Sequence, residues 1–155
     1  MNKYFDPFAE KGNEFLEVLA EQMGGTKDVG HAARVLRAVL HTIRDRVPVN
    51  VSLQFISSLP MAIKAIYIDG WKAGKKSTPI RNKTDFINAI RAKEKPLLAA
   101  YDLKDEAYAG KMIAAVMQTL QLYVSEGEQK DLLAVLPEAM RKYIGEMTTE
   151  KFHLL

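Results

Sequence analysis

The sequence predicts an all-α fold, a bundle of about eight helices built from two tandem, pseudo-symmetric four-helix repeats. Apolar residues recur at spacings of three and four along nearly all of the 155 residues, and no segment shows the sustained alternation of a strand. A hydrophobic fraction of 48% is too high for intrinsic disorder and is enough for one buried core. The apolar pattern also recurs after a shift of 77 positions, which predicts the repeat.

The first repeat, residues 13–70, follows an N-terminal segment that we expect to be loose. Asn13 is the predicted N-cap of the first helix, and Gly24-Gly25 ends it because glycine adopts the left-handed conformation of helix C-termini. The second helix is predicted from about Asp28 to about Arg46, and its apolar residues form a core-facing stripe.

Prolines mark the next two helices. Pro48 interrupts the chain, a short third helix is predicted from about Val51, and Pro60 opens a fourth because proline is tolerated in a first helical turn. The fourth helix is predicted to end near Asp69-Gly70.

The second repeat, residues 84–145, follows the same order. The Leu59-Pro60 pair maps onto Leu136-Pro137, and Thr42 maps onto Thr119. A copy of about 70 residues is small for an independent core. We therefore expect both halves to pack into a single domain, residues 1–155.

The second repeat departs from the first in its connections. Its upstream part matches at a shift of 71, so it has six additional residues between its first two helices. The sequence from Ser125 to Glu128 is a capping box and predicts a further helix start. Residues 146–155 are expected to be a C-terminal tail.

Residues 71–83 are predicted to form a basic connector between the repeats. The net charge of +3 originates in the connector and the helix predicted after it, since residues 72–95 hold eight basic and two acidic side chains, a net +6. A flexible basic loop is typical of contact with nucleic acid, another polyanion or a membrane surface. The alternative is a solvated connector. The candidate polyanion-binding residues are Lys72, Lys75, Lys76, Arg81 and Lys83.

A second candidate site is a polar stripe on the second and fourth helices of the first repeat. The second repeat has uncharged residues at the equivalent positions of the second helix, so the fold does not require the charges of that helix. This favours a patch that binds a small anion or a protein partner. The candidate binding residues are Arg37, His41, Arg44, Asp45, Lys64, Tyr67 and Trp71.

A structural interpretation of the same stripe stays open. Arg44 suits a helix C-terminus, and His41 can pair with Asp45 four residues later. Tyr67 and Trp71 can cover the junction between the repeats. Burial of these side chains in internal contacts would favour this interpretation.

The sequence shows little catalytic chemistry. The absence of cysteine excludes thiolate zinc sites, iron–sulfur clusters and cysteine nucleophiles. The three histidines are scattered, and we expect no metal site, catalytic residue or cofactor. Asp102, Asp105 and Glu106 lie where a helix is predicted to begin, which indicates capping. An enzyme that uses His41 with Asp45 is the remaining alternative.

One combination of motifs in the first repeat is specific: residues 37–48 (RAVLHTIRDRVP) are followed by Ser58-Leu59-Pro60, Lys64, Tyr67 and Gly70-Trp71. It resembles an uncharacterised bacterial family, a domain of unknown function, over roughly residues 12–145. The resemblance implies a small, soluble, all-helical bacterial protein with no established activity. Lys64 stands where the family often has an arginine, and lysine is a point charge rather than a planar fork.

The sequence therefore favours a non-enzymatic binding or scaffolding module that contacts a partner or an anion through the polar stripe. Nucleic-acid or polyanion binding through the connector is the alternative. The N-terminus lacks the apolar run of a signal peptide, and the longest uncharged stretch, between Arg46 and Lys64, is too polar for a bilayer span. We expect a soluble, cytoplasmic protein.

Overall fold

The computed structural model describes the backbone of residues 3–153 and the side chains of residues 3–148, so the side chain of His153 and residues 154–155 of the predicted tail lie outside it. In residues 3–153 every regular element is an α-helix, which confirms the predicted class. None of these helices is long and apolar enough to cross a membrane. The nine helices are α1 Asp6–Gln22, α2 Val29–Arg44, α3 Val49–Ile56, α4 Met61–Ile68, α5 Lys83–Arg91, α6 Pro96–Asp102, α7 Glu106–Gln121, α8 Glu126–Val135 and α9 Glu138–His153.

The first helix begins earlier than the sequence predicts. It starts at Asp6 rather than after Asn13, with Pro7 in the first turn, where the missing N–H breaks no helical hydrogen bond. The side chains of residues 3–11 are exposed, so this part of α1 has no apolar stripe that faces the core. The segment that we expected to be loose is therefore helical from Asp6 onward.

Two further differences lie in the second half of the chain. The helix additional to the predicted eight is α6, which lies in the long connection between α5 and α7, where the sequence has additional residues. Pro96 stands at its start and Asp102 at its end. Residues 146–153, which we expected to be a tail, continue α9.

Side-chain caps fix the starts of four helices. Asp28, near which the sequence predicts the start of α2, accepts a hydrogen bond from a backbone amide of that helix at 3.0 Å. Ser125, in the predicted capping box, accepts one from an amide of α8 at 3.2 Å. Asn82 and Asp105 cap α5 and α7 in the same way. These caps satisfy amides that have no partner within the first turn of a helix.

The helices α2 and α7 form the centre of the bundle. They pack on each other, and α1 and α5 each lie against both of them. The predicted apolar stripe of α2 is buried, and each fully buried side chain of this size stabilises the fold by about 1.5–3 kcal/mol. The helix α4 covers α1 and α2, α9 covers α5 and α7, and α3 packs on α8. The buried residues of the stripe are Val35, Leu36, Val39, Leu40 and Ile43.

Candidate functional site

Two basic residues of the predicted stripe connect α2 to α4. His41 Nε2 lies 2.6 Å from the carbonyl oxygen of Ile66, an acceptor, so this nitrogen donates. Arg44 Nη1 donates to the carbonyl oxygens of Tyr67 at 3.1 Å and Asp69 at 2.8 Å. Carbonyls at the end of a helix have no intrahelical donor. Both side chains are buried, so their polar groups serve the fold instead of facing a partner.

The aromatic members of the stripe also face inward. Tyr67 is fully buried, its hydroxyl lies 2.7 Å from Ser52 Oγ, and burial raises its pKa to about 12. Its ring meets that of Trp71 edge to face, with 5.8 Å between the centroids. Trp71 is half-buried and packs against the core. These rings cover the end of α4, and Trp71 keeps part of its surface exposed to solvent.

The pairing of His41 with Asp45 that the sequence suggested is not formed. Asp45 follows α2 and accepts from Arg44 Nε at 3.2 Å and from Lys93 Nζ. Burial alone would raise the pKa of Asp45, but Lys93 and Arg44 outweigh it and lower the pKa below its usual value. Because His41 faces the Ile66 carbonyl, its hydrogen bond does not support an acid–base pair with Asp45.

Arg37 and Lys64 form the accessible part of the stripe. Arg37 Nη2 donates to Asp69 Oδ2 at 2.6 Å, and this hydrogen bond lowers the pKa of Asp69. Together with Met61 and Ile68, which are 51% and 44% exposed, these residues line a shallow groove of about 650 Å³ between α2 and α4. Apolar side chains therefore lie beside two cations at the surface.

The end of α2, the basic connector and the end of α5 enclose a polar cleft of about 240 Å³. Arg46 follows α2, Lys75 and Lys76 belong to the connector, and Lys93 follows α5. Cations from three separate segments thus meet at one place. The polar residues that line the cleft are Asp45, Arg46, Lys75, Lys76, Ser77, Thr78 and Lys93.

Arg46 attaches the connector to α2. Its Nη1 donates to the carbonyl oxygen of Thr42 at 2.9 Å, and its Nη2 donates to the carbonyl oxygen of Thr78 at 2.7 Å and to Thr78 Oγ1 at 3.0 Å. Burial lowers the pKa of Arg46. Its Nε is buried without a hydrogen-bond partner in the described part of the chain. One wall of the cleft is therefore held rigidly.

The other cations of the connector lie outside the cleft. Arg81 and Lys83 line a wider groove of about 550 Å³ beside α9, where Glu138 and Glu146 offset their charge. Lys72 is exposed in the turn after α4. Of the five predicted polyanion-binding residues, the structure thus brings two into the cleft.

A buried polar cluster, which the sequence did not predict, joins α2 to α6. Asp102 Oδ1 lies 2.7 Å from His31 Nδ1, and the Asp102 carboxylate also accepts from Arg34 Nε at 2.8 Å and Arg34 Nη2 at 3.0 Å. His31 Nε2 lies 3.2 Å from the hydroxyl of Tyr108. Asp102 is fully buried and His31 nearly so. The Asp102 carboxylate therefore joins α6 to α2, and His31 extends the cluster to Tyr108 of α7.

Glu94 completes this cluster from the loop after α5. Its side chain is 5% exposed, its Oε1 lies 3.8 Å from Arg34 Nε, and both of its carboxyl oxygens are buried without a hydrogen-bond partner. Burial and the adjacent Asp102 raise the pKa of Glu94 to about 8. Burial would also raise the pKa of Asp102, but hydrogen bonds from Arg34 and His31 lower it, as does the donor that a protonated Glu94 provides. Among the described residues, no group of three or more His, Asp or Glu side chains is placed to hold a metal ion.

Comparison with known protein families shows which family this chain belongs to. The model of a family described as an uncharacterized conserved protein (DUF2267) matches residues 12–143. The chain belongs to the DUF2267 family. This confirms the resemblance to an uncharacterised family seen in the sequence, and the family description states no activity. A search of curated proteins found no significant match.

In this DUF2267 chain the buried cluster could not be predicted from local sequence patterns, because its members are far apart along the chain. Asp102 lies 71 positions from His31 and 68 from Arg34. We expected Asp102 to cap a helix, but it ends α6, and Asp105 is the cap of α7. One signal was present in the sequence, since His31 and Tyr108 are 77 positions apart, which is the shift of the predicted repeat.

Proposed function

We propose that the protein is a non-enzymatic binding module for a phosphate-bearing polyanion, which it holds in the polar cleft between α2, the connector and α5. The convergence of Arg46, Lys75, Lys76 and Lys93 on this cleft carries the proposal. Like charges repel, and a solvated connector has no need to direct its lysines toward the cations of two helix ends. A multivalent anion supplies the counter-charge that this arrangement lacks.

The charge balance of the cleft supports an anionic ligand. Among the described residues that line it, Asp45 has the one carboxylate, and four side chains are cationic. Asp45 is already bonded to Lys93 and Arg44. The ammonium groups of Lys75 and Lys76 form no ion pair in the described part of the chain and are exposed. These two lysines are free to meet phosphate oxygens, with which lysine pairs as a point charge.

Asp45 acts in this proposal as an internal competitor. Its carboxylate holds Lys93 at the edge of the cleft, so an incoming phosphate must displace it. The substitution Asp45→Asn removes the negative charge, and we expect tighter binding of polyanions. The hydroxyls of Ser77 and Thr78 provide further polar contacts.

Titration of labelled single-stranded DNA and of inorganic polyphosphate at increasing salt tests the proposal. Each phosphate contact contributes about 0.7 to the slope of log affinity against log salt for a single strand, so Lys75→Ala with Lys76→Ala should reduce that slope by about 1.4. The control is Lys11→Ala with Lys130→Ala, two exposed lysines elsewhere. Absence of binding by the wild type at low salt, or an equal loss in the control, would refute the proposal.

A second candidate function is recognition of an acidic amphipathic helix in the groove between α2 and α4. The exposed Met61 and Ile68 beside Arg37 and Lys64 favour it, because one helical ligand can cover the apolar pair and place carboxylates on the cations. A synthetic acidic amphipathic peptide should bind the wild type and lose affinity with Met61→Glu. The Lys75→Ala, Lys76→Ala variant should bind the peptide normally, which separates the two surfaces.

We also infer that residues 13–70 and 84–145 are two copies of one helical unit, related by an approximate twofold axis. The contact between α1 and α7 corresponds to the contact between α5 and α2, as a twofold axis requires. Helices α3 and α8, which are also equivalent, pack on each other. Thr42 and Thr119 each donate at 2.8 Å to the carbonyl four residues earlier, and both are fully buried. Equivalent environments predict a similar loss of stability for Thr42→Val and Thr119→Val in denaturant titrations.

A cytoplasmic location in a bacterial cell is a further part of the proposal. The absence of cysteine is compatible with a reducing compartment, and the motifs of the chain resemble a bacterial family. Fractionation of cells that contain the tagged protein tests the location, and recovery in the periplasm or the medium would contradict it.

A further inference from the structure

The carboxyl pair of Glu94 and Asp102 lies where three segments meet. Glu94 belongs to the loop after α5, Asp102 ends α6, and both face Arg34 on α2. Asp102 is fully buried, and the Glu94 side chain is 95% buried, since its exposed fraction is 5%. The two oxygens of Glu94 are the only carboxyl oxygens in the described part of the chain that are buried without a hydrogen-bond partner.

If both carboxyl groups were ionised, two carboxylates would face the single guanidinium of Arg34. Arg34 forms a bidentate ion pair with Asp102, so the positive charge of Arg34 is already compensated. An ionised Glu94 would then be a buried charge with no donor on either oxygen, which is among the costliest arrangements in a protein interior. A proton on Glu94 removes the charge and gives this side chain an O–H group that can donate a hydrogen bond to the adjacent Asp102 carboxylate.

The helix α6 depends on these contacts for its position. It has seven residues, of which only Ala99 and Asp102 are buried, while Leu97 and Tyr101 are 87% and 62% exposed. Next to it, Arg91 Nε donates to the carbonyl oxygen of Leu103 at 3.0 Å. Apart from Ala99, and Leu103 directly after the helix, α6 buries little apolar surface, so the hydrogen bonds of Asp102 contribute strongly to holding it on the bundle.

We propose that Glu94 and Asp102 form a proton-dependent latch, which holds α6 on the bundle while they share a proton and releases it when that proton is lost. The latch lies outside the polar cleft and does not depend on the binding function proposed above. Deprotonation places two carboxylates side by side against one guanidinium. Their repulsion is relieved when α6 moves away and Asp102 becomes hydrated.

The titratable and charged groups around the latch come from four helices, and α5 contributes Arg91, which donates to the Leu103 carbonyl. Helix α2 contributes His31, Arg34 and the capping residue Asp28, and α6 contributes Tyr101 beside the His31 ring. Helix α7 contributes Tyr108. Burial raises the pKa of Tyr108 too, so this hydroxyl stays protonated while Glu94 titrates.

Hydrogen exchange of the full-length protein, followed by mass spectrometry, tests the latch. The peptide that contains α6 should be protected at pH 6 and lose protection at pH 9 by at least tenfold beyond the intrinsic change in exchange rate. The peptides of α2 and α7 should keep their protection at both pH values. Uniform loss over the whole chain, or no additional loss in α6, would overturn the proposal.

The substitution Glu94→Gln makes the test specific. Glutamine has nearly the same shape, cannot ionise, and offers an amide donor to Asp102 at every pH. Protection of α6 in Glu94→Gln should therefore be independent of pH, whereas the exposed control Glu126→Gln should behave as the wild type. A pH-dependent loss in Glu94→Gln equal to that of the wild type would overturn the latch. Carboxyl carbon NMR of the wild type gives an independent measure, and titration of Glu94 at the usual pH of a glutamate would also overturn it.

Discussion

Arg44 Nη1 lies 2.8 Å from the backbone oxygen of Asp69, so a buried cation of α2 completes the end of α4. The same nitrogen donates to Tyr67, and His41 donates to Ile66 one residue earlier. His41 and Arg44, which the sequence predicts to bind a ligand, thus donate to carbonyl groups at the end of α4 that have no donor within the helix. Their loss is expected to affect stability rather than recognition.

Arg44→Ala should lower the free energy of unfolding by about 2–4 kcal/mol, because it leaves buried carbonyls of α4 without a donor. Urea denaturation followed by circular dichroism measures this change. The matched control is Arg37→Ala, which removes an exposed ion pair with Asp69 and should change the free energy of unfolding far less. Similar losses in both variants would show that the burial of Arg44 has no energetic consequence.

Gly12 is required by the close approach of α1 and α4. A Cβ atom at this position would lie 2.6 Å from Ala62 Cβ, so Gly12→Ala should destabilise the protein by about 1–3 kcal/mol. Adding Ala62→Gly should restore part of the loss in thermal denaturation. By contrast, Gly145→Ala meets no atom within 4 Å in α9 and should stabilise by about 0.5–1 kcal/mol. A neutral Gly12→Ala would contradict the tight contact.

Ser52 and Tyr67 form a buried hydroxyl pair, which a double-mutant cycle can measure. Ser52→Ala or Tyr67→Phe alone leaves one hydroxyl without this partner, whereas the double variant removes both. We expect a coupling energy of about 0.5–1.5 kcal/mol in chemical denaturation. Strict additivity of the two single variants would show that the hydrogen bond does not form.

In ultraviolet titration one tyrosine should also ionise only near pH 12, and Tyr67→Phe should remove this late ionisation step.

Local patterns predicted the helices whose apolar faces meet the core. The stripe of α2, its start near Asp28 and the cap at Ser125 depend on residues within a few positions of each other, and all three are present in the structure. The exposed first turns of α1 and the short α6 lack such a stripe, so their apolar content indicated no helix. Helix prediction from periodicity succeeds where one face is buried.

The polar sites depend on tertiary contacts, which periodicity does not report. The charged stripe of α2 has the spacing of a solvent-facing side, yet α4 covers it and presents carbonyl oxygens to His41 and Arg44. Glu94 and Asp102 become neighbours only because α6 folds back on α2. The convergence of Lys75 and Lys76 with Lys93 likewise depends on the path of the connector, although their excess charge was visible in the sequence.

The burial of His41 predicts a loss of stability in acid. Burial lowers the pKa of His41 from its usual 6.5, and the charges of Arg44, Arg37 and Lys93 add to this effect, although the hydrogen bond to Ile66 opposes it. Below about pH 6.5 the unfolded chain therefore binds a proton at this residue that the folded chain does not bind. The free energy of unfolding should then fall with decreasing pH, by at most about 1.4 kcal/mol per pH unit from this residue.

His41→Gln isolates this contribution, because glutamine keeps a donor for the Ile66 carbonyl and does not ionise. Denaturant titrations at pH 7 and pH 5 should show a smaller acid loss in His41→Gln than in the wild type, whatever the cost of the substitution at pH 7. Lys11→Ala, on the exposed face of α1, should keep the wild-type dependence. A difference between His41→Gln and the wild type that does not change with pH would mean that His41 takes up its proton equally in the folded and unfolded states.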